Sequence, residues 1–125
     1  MWSYGNATQL LLERYVRVRA AQLAPYIAEL SANVSAAGVP TMRPLWWEFP
    51  ADPGAVGVND QYLLGPSLLV APVVTQGATT RDVYFPGDAT TKWVSFWDPA
   101  APPVAGGARH TVAAPLDTIS VYRRA

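Results

Sequence analysis

The fold class is decided by residues 60–74, DQYLLGPSLLVAPVV. Two short apolar runs, 60–64 and 67–74, are joined at Gly65-Pro66, and such a pair marks a turn. Runs this short, bounded by turn residues, predict β-strands. The second run is apolar almost throughout, as in a strand covered on both faces, although Pro72 restricts it to an edge, an end or a bulge.

The same pattern continues on both sides of this stretch. Five further strands are predicted at 42–49, 83–85, 93–97, 109–113 and 118–122. Residues 98–107 contain three prolines and two glycines and are predicted to form a surface loop. About seven short strands in this arrangement favour a mainly β fold, an antiparallel β-sandwich.

Alternation within 42–49 predicts which side chains share a face of that strand. One side carries Leu45, Trp47 and Phe49, and the other carries Trp46 and Glu48.

One long helix is predicted before the strands, from Asn6 to about Ala37. Its apolar residues recur at spacings of three and four and form one stripe: Leu12, Val16, Ala20, Leu23, Ile27, Leu30 and Val34. Asn6 is expected to cap the first turn together with Gln9, and Gly38 is expected to end the helix. Pro25 predicts a kink. Left exposed, the stripe is expected to drive self-association.

Composition excludes several functions. Nine basic residues balance nine acidic ones without a basic cluster, so nucleic acid is not expected as a partner. No apolar run approaches the roughly 20 residues that span a bilayer, so no membrane association is expected. The absence of cysteine removes disulfides, thiolate nucleophiles and cysteine-based zinc sites. The cellular location stays undetermined.

His110 is the single histidine, so a nucleophilic triad would have to be built on it. The available hydroxyls are Ser67, Ser95 and Ser120, and none lies in a nucleophile-elbow sequence. We therefore expect His110 on an exposed strand face. The acidic residues are scattered singly, so no metal site is expected.

The carboxylates could include a glycosidase pair, which needs two groups flanking a sugar pocket. Three of them stand beside proline or glycine, where an aspartate commonly stabilises a turn: Asp52, Asp88 and Asp98. Asp60 and Asp117 are framed by apolar strands. A structural role is favoured for all of them.

Aromatic side chains suggest a sugar-binding surface as an alternative, because flat rings stack on sugar faces. The candidates are Trp46, Trp47, Trp93, Phe96 and Trp97. Such rings also dominate small cores, so burial is favoured for each, with Trp46 or Trp97 as the expected exceptions.

Three ordered segments resemble glycoside hydrolase family 31, which contains α-glucosidases and α-xylosidases. Residues 2–5 (WSYG), leading into Arg14-Tyr15 and Ala24-Pro25-Tyr26, are similar to the family's barrel helix. Residues 38–50 (GVPTMRPLWWEFP) and 60–73 (DQYLLGPSLLVAPV) are similar to its most specific motif. Residues 77–86, 93–97 and 114–119 are similar to its C-terminal β-domain, although Ser120 stands where proline is usual.

The resemblance implies a (β/α)8 barrel followed by a β-sandwich, and retaining hydrolysis of α-glycosidic bonds by two aspartates without a cofactor. Residues 1–38 would be the last helix of the catalytic barrel, and 39–125 the proximal C-terminal β-sandwich domain, truncated at its end. The catalytic aspartates belong to upstream barrel motifs, so no catalytic, substrate-binding or metal residue is assigned in this chain. The carbohydrate substrate would bind through the missing barrel.

Two alternatives remain at this point. The chain could be a stand-alone carbohydrate-binding β-sandwich module, or a self-sufficient enzyme that uses an unrecognised acid pair.

Overall fold

The computed structural model describes residues 5–125. By their internal contacts the residues form two compact units, Met1–Thr41 and Met42–Ala125. The first unit contains the long helix and the second contains the strands. Trp2, Ser3 and Tyr4 of the family-like segment lie outside the described residues.

The long helix has the predicted extent and consists of three consecutive pieces. They are α1 (Asn6–Val18), a π-helical turn (Arg19–Leu23) and α2 (Ala24–Ala37). Within the π turn the Ala24 N–H donates to the carbonyl of Arg19, five residues earlier. Pro25 follows at once, in the first turn of α2, where its missing N–H is tolerated. The irregularity in the helix is thus a π turn that precedes the proline, and the kink predicted at Pro25 stays a prediction.

The two helix ends differ in how well the sequence predicts them. Asn6 is the first helical residue and Gly5 occupies the N-cap position without a side-chain hydrogen bond, so the predicted Asn6–Gln9 capping box is wrong. The Gln9 side chain instead donates to Glu13, 3.0 Å away. Gly38 ends the helix as predicted, with φ +66° and its N–H donating to Val34.

The predicted apolar stripe is covered unevenly. Leu30 is buried, Leu12, Leu23 and Ile27 are half-buried, and Val16, Ala20 and Val34 are exposed. Self-association through this stripe stays a prediction. Within residues 5–125, no helix combines the length and apolar character needed to cross a bilayer.

The strand unit contains two antiparallel sheets. In spatial order, the larger sheet consists of β1 (Met42–Arg43), β2 (Tyr62–Leu64), β3 (Leu68–Ala71), β8 (Ser120–Arg124), β5 (Lys92–Ser95) and β6 (Val104–Ala105). The smaller sheet pairs β4 (Thr80–Phe85) with β7 (Ala108–Ala113) over six residue pairs. The fold is thus mixed, a long helix followed by antiparallel sheets.

The decisive stretch 60–74 forms the predicted pair of strands. Leu64 pairs with Leu68 across a turn in which Gly65 has φ +61°, a conformation that favours glycine. β3 lies inside the sheet between β2 and β8, and Pro72 follows its last residue. Of the three positions allowed for Pro72, the structure uses the strand end.

The predicted strand 42–49 is wrong beyond Arg43. Pro44 is extended, and Leu45–Glu48 form a single helical turn, α3. Leu45 and Phe49 are buried, while Trp46 and Trp47 are exposed. Residues four apart share a face in both a strand and a helix, so the burial of Leu45 and Phe49 fits either period. Trp47 distinguishes a strand from a helix here. Alternation placed it on the same face as Leu45 and Phe49, whereas in the helical turn it is exposed.

Two short elements complete the unit. Residues 53–56 form the helical turn α4 (Pro53–Val56). The predicted loop 98–107 contains the strand β6, in which Ala105 pairs with Lys92 and Val104 with Trp93. This strand was not predicted from the sequence.

The core of this unit is built from both sheets. Its residues are Leu45, Phe49, Ala55, Val58, Leu63, Leu69, Ala71, Val83, Tyr84, Phe85 and Trp93. The ring of Phe85 on β4 meets the ring of Tyr122 on β8 edge-on, with centroids 4.7 Å apart. The smaller sheet therefore packs its β4 side chains against the larger one.

Candidate functional site

Asp52 lies at the centre of a polar network beside the core. Its Oδ1 accepts from the Tyr84 hydroxyl at 2.6 Å and from the Gly54 N–H at 3.0 Å. Its Oδ2 accepts from the Gly87 N–H at 2.9 Å. The carboxylate caps α4 and also joins this turn to the end of β4. The predicted turn role of Asp52 is confirmed, with two long-range partners added.

The network shifts the pKa values of both acidic members. Burial alone would raise the pKa of Asp52, but the hydrogen bonds from Tyr84, Gly87 and Gly54 outweigh it and hold the pKa below its usual value. Burial, together with the hydrogen bond to Asp52 and its negative charge, raises the pKa of Tyr84 to about 12. The arrangement thus favours an ionised Asp52 beside a neutral Tyr84.

Replacing Asp52 with asparagine is expected to destabilise the chain by about 1–3 kcal/mol at pH 7. The asparagine NH2 group would face N–H or O–H donors where the carboxylate oxygen now accepts from them. A carboxyl with a lowered folded-state pKa contributes stability above its unfolded pKa, near 3.8, and loses it as the pH falls through the folded value. The difference in free energy of unfolding between the native chain and Asp52→Asn should therefore become smaller when the pH is lowered from 7 to 2.5. Urea unfolding at both pH values measures it.

Asp98→Asn is the matched control, because its carboxylate accepts one local N–H, that of Ala100 at 3.2 Å. Asp98→Asn should lower the free energy of unfolding much less than Asp52→Asn does at pH 7. An equal loss for Asp52→Asn at both pH values would contradict a role for its charge.

Asp88 organises the neighbouring turn, as its sequence context predicts. One oxygen accepts from the Thr90 hydroxyl at 2.6 Å and from the N–H groups of Thr90 and Thr91. The hydrogen bond from the Thr90 hydroxyl, with those from the two N–H groups, lowers the pKa of Asp88 to about 2. Asp88 is therefore ionised at any physiological pH.

Three acidic residues, Glu48, Asp52 and Asp88, are among those that line a groove of about 400 Å³. Arg124 also lines it, with its guanidinium 5.1 Å from the centre of the Phe49 ring. Glu48 forms an ion pair with Arg43.

The groove does not suit acid catalysis by its two aspartates. A general acid in a glycosidase needs a raised pKa, so that it holds a proton near neutral pH. Asp52 and Asp88 both have lowered values. These two carboxylates therefore serve as hydrogen-bond acceptors within turns.

The remaining predicted aspartates lie elsewhere. Asp60 forms an ion pair with the buried Arg81 at 3.1 Å, and its backbone carbonyl also accepts from that guanidinium. Asp117 accepts from the Thr118 hydroxyl at 3.3 Å. This ion pair is a contact of the kind that the predicted structural role of Asp60 would make.

His110 lies on β7 and is exposed, as predicted. Its ring meets the ring of Phe85 edge-on, with centroids 5.7 Å apart. Ser95 accepts from the N–H of Asp98, and Ser120 is buried in β8. Among residues 5–125, no three His, Cys, Asp or Glu side chains converge as a metal site would need.

The aromatic candidates divide into core and surface groups. Trp93 is fully buried and donates from its indole N–H to the carbonyl of Pro86 at 2.9 Å. Phe96 and Trp97 are half-buried and meet edge-on, with centroids 5.2 Å apart. Trp46 is exposed, as expected for one of the two named exceptions, and the neighbouring Trp47 is an exposed ring that alternation missed.

A second, largely apolar cleft of about 730 Å³ lies between residues 72–79 and 114–119. Leu116 on its rim is fully exposed, and Val73 and Ile119 are partly so. No charged side chain lines it.

The strand region has a counterpart among known families. Residues 38–125 match the glycosyl hydrolase family 31 C-terminal domain. The chain belongs to glycosyl hydrolase family 31. The resemblance seen in the motifs at 38–50 and 60–73 is thereby confirmed.

Family 31 relatives align with nearly the whole chain. It is 32% identical over 121 residues to alpha-glucosidase 2 of Bacillus thermoamyloliquefaciens, covering 97% of this chain and 15% of that protein. A crystal structure of a GH31 alpha-xylosidase from a soil metagenome, complexed with xylose, superimposes with a TM-score of 0.90 at 32% identity. The match covers 98% of this chain and 18% of that one.

A third family 31 relative is the Flavobacterium johnsoniae dextranase, in its complex with glucose. It superimposes with a TM-score of 0.88 at 35% identity, covering 98% of this chain and 14% of its own. The chain thus spans less than a fifth of the length of these relatives.

Proposed function

We propose that this chain is the C-terminal structural part of a retaining family 31 enzyme that hydrolyses α-glucosidic or α-xylosidic bonds. Residues 1–38 act as the last helix of the catalytic barrel, and 39–125 form a β-sandwich that supports it. The two catalytic aspartates come from the barrel. The observation that carries the proposal is the alignment of 98% of this chain with 18% of the alpha-xylosidase.

The described residues support a structural role. A complete (β/α)8 barrel takes about 250 residues, and this chain has 125. The two aspartates of the polar groove have lowered pKa values, which fits turn stabilisation and not proton donation. The sugar would bind to the barrel.

A chimera tests the proposal directly. In alpha-glucosidase 2 of Bacillus thermoamyloliquefaciens, the 121 matched residues are replaced by their counterparts from this chain. We expect kcat/KM on nitrophenyl α-glucoside to stay within about tenfold of the parent, a change of about 1.4 kcal/mol. The isolated chain should turn over neither nitrophenyl α-glucoside nor nitrophenyl α-xyloside.

A second chimera carrying Phe85→Ser is the control, since this buried ring joins the two sheets. It should lose activity together with folding. Turnover by the isolated chain would overturn the proposal, and so would an inactive but folded chimera.

The stand-alone carbohydrate-binding module is a second candidate, favoured by the exposed rings of Trp46 and Trp47. Isothermal titration of the isolated chain with maltose and with xylose-containing oligosaccharides separates the two. A module predicts measurable heats of binding, and a supporting part predicts none.

A further inference from the structure

The single turn α3 holds two neighbouring tryptophans outward from the core. Leu45 and Phe49 flank the pair and are buried, so they fix the turn from below. Trp46 and Trp47 remain 46% and 45% exposed, with ring centroids 6.0 Å apart. An indole offers up to about 250 Å² for burial, so each ring leaves roughly 100 Å² in contact with water.

The turn is held rigidly from its side as well. Arg43 and Glu48 form an ion pair across it, and their side chains are only 9% and 18% exposed. Arg43 is also anchored by pairing with Leu63 in the large sheet. Rigid, preordered aromatic side chains bind partners at low entropic cost, and tryptophan is enriched at the centres of protein interfaces.

The geometry of the pair suits a protein surface better than a sugar chain. The two ring planes are tilted by 52°, so they offer no common flat surface to a sugar chain. Neither ring lines the polar groove or the apolar cleft. A protruding, tilted pair is suited to insertion between the side chains of another protein surface.

We propose that Trp46 and Trp47 anchor this region to the catalytic barrel of its own enzyme. The inference rests on the proposed function, in which 1–38 is a barrel helix. Trp46 follows Gly38 by eight residues, which span at most about 28 Å when extended, so the barrel is the large body within reach. The relatives are more than five times longer than the segment that matches this chain, which leaves ample protein to cover the pair.

The test compares one double substitution in two settings. Trp46→Ser with Trp47→Ser should lower the Tm of the Bacillus chimera by about 3 °C or more beyond any fall in the Tm of the isolated chain. KM for nitrophenyl α-glucoside should stay within about twofold. Leu116→Ser is the control, because this side chain is fully exposed and lies in the other cleft region.

The possible outcomes distinguish a failure of this inference from a failure of the proposed function. If removing the tryptophans lowers the Tm of an active chimera no more than that of the isolated chain, the inference alone is overturned. A raised KM with an unchanged Tm assigns the pair to a sugar instead. A folded chimera that is inactive before any tryptophan is changed overturns the proposed function, and the inference falls with it.

Discussion

Replacing Trp93 with alanine is expected to lower the free energy of unfolding by about 3–5 kcal/mol. Trp93 is fully buried on β5, and its ring lies 6.0 Å from that of Phe49. The substitution removes this packing, leaves a cavity and also leaves the carbonyl of Pro86 without its indole donor. Urea unfolding followed by near-ultraviolet circular dichroism measures the loss.

Two variants keep this prediction decisive even where alanine prevents folding. Trp93→Phe retains most of the ring and removes the hydrogen bond, so it should cost about 1–3 kcal/mol. Trp46→Ala removes a half-exposed indole in the isolated chain and should cost clearly less than Trp93→Ala. Equal losses at positions 46 and 93 would contradict the assignment of Trp93 to the core.

Local sequence signals predict the strand positions better than the pairing of the strands. Gly65-Pro66 separates the two apolar runs of the decisive stretch, and β2 and β3 form where these runs predict them. The order of the larger sheet could not be read in this way. β8 enters between β3 and β5, and that choice depends on contacts distant in sequence.

The wrong prediction at 42–49 has a similar origin. A period of two and a period of 3.6 both bring Leu45 and Phe49 to one face, so burial of these two residues could not decide between strand and helix. The structure decides for a helical turn after Pro44.

The candidate site divides between local and long-range contacts. Neighbouring glycine or proline correctly predicts that Asp52, Asp88 and Asp98 stabilise turns, because those hydrogen bonds span two or three residues. The partners that give Asp52 its second role lie 32 and 35 residues away, and no local pattern encodes them. The same limit applies to the exposed tryptophan pair, which needed the correct secondary structure first.

Gln61 is the other position where a large effect is expected. Its side chain is buried, at 5% exposure. Its amide makes the two backbone hydrogen bonds that a neighbouring strand would make. The Nε2 group donates to the carbonyl of Tyr84 at 2.9 Å, and Oε1 accepts from the N–H of Tyr84 at 2.8 Å. One side chain thus satisfies both buried backbone groups of a residue on β4.

Gln61→Leu keeps the volume and removes both hydrogen bonds, so it should cost about 2–5 kcal/mol in urea unfolding at pH 7. Gln76→Leu, at an exposed loop position, is the matched control and should change stability by less than about 0.5 kcal/mol. A small loss for Gln61→Leu would contradict the role of the amide as a substitute strand.

Gln61→Glu separates the hydrogen bonds from the packing. An ionised carboxylate can accept from the N–H of Tyr84, but it has no donor for the carbonyl, whereas the protonated acid can serve both groups. The protonated form is therefore favoured in the folded state, and the pKa of the introduced carboxyl should rise above about 4.3. Its stability is then fully present below that unfolded value and is lost as the pH rises through the folded one. The difference in free energy of unfolding between Gln61→Glu and the native chain should therefore become smaller as the pH is lowered. A difference that does not depend on pH would contradict donation by the introduced carboxyl to the carbonyl of Tyr84.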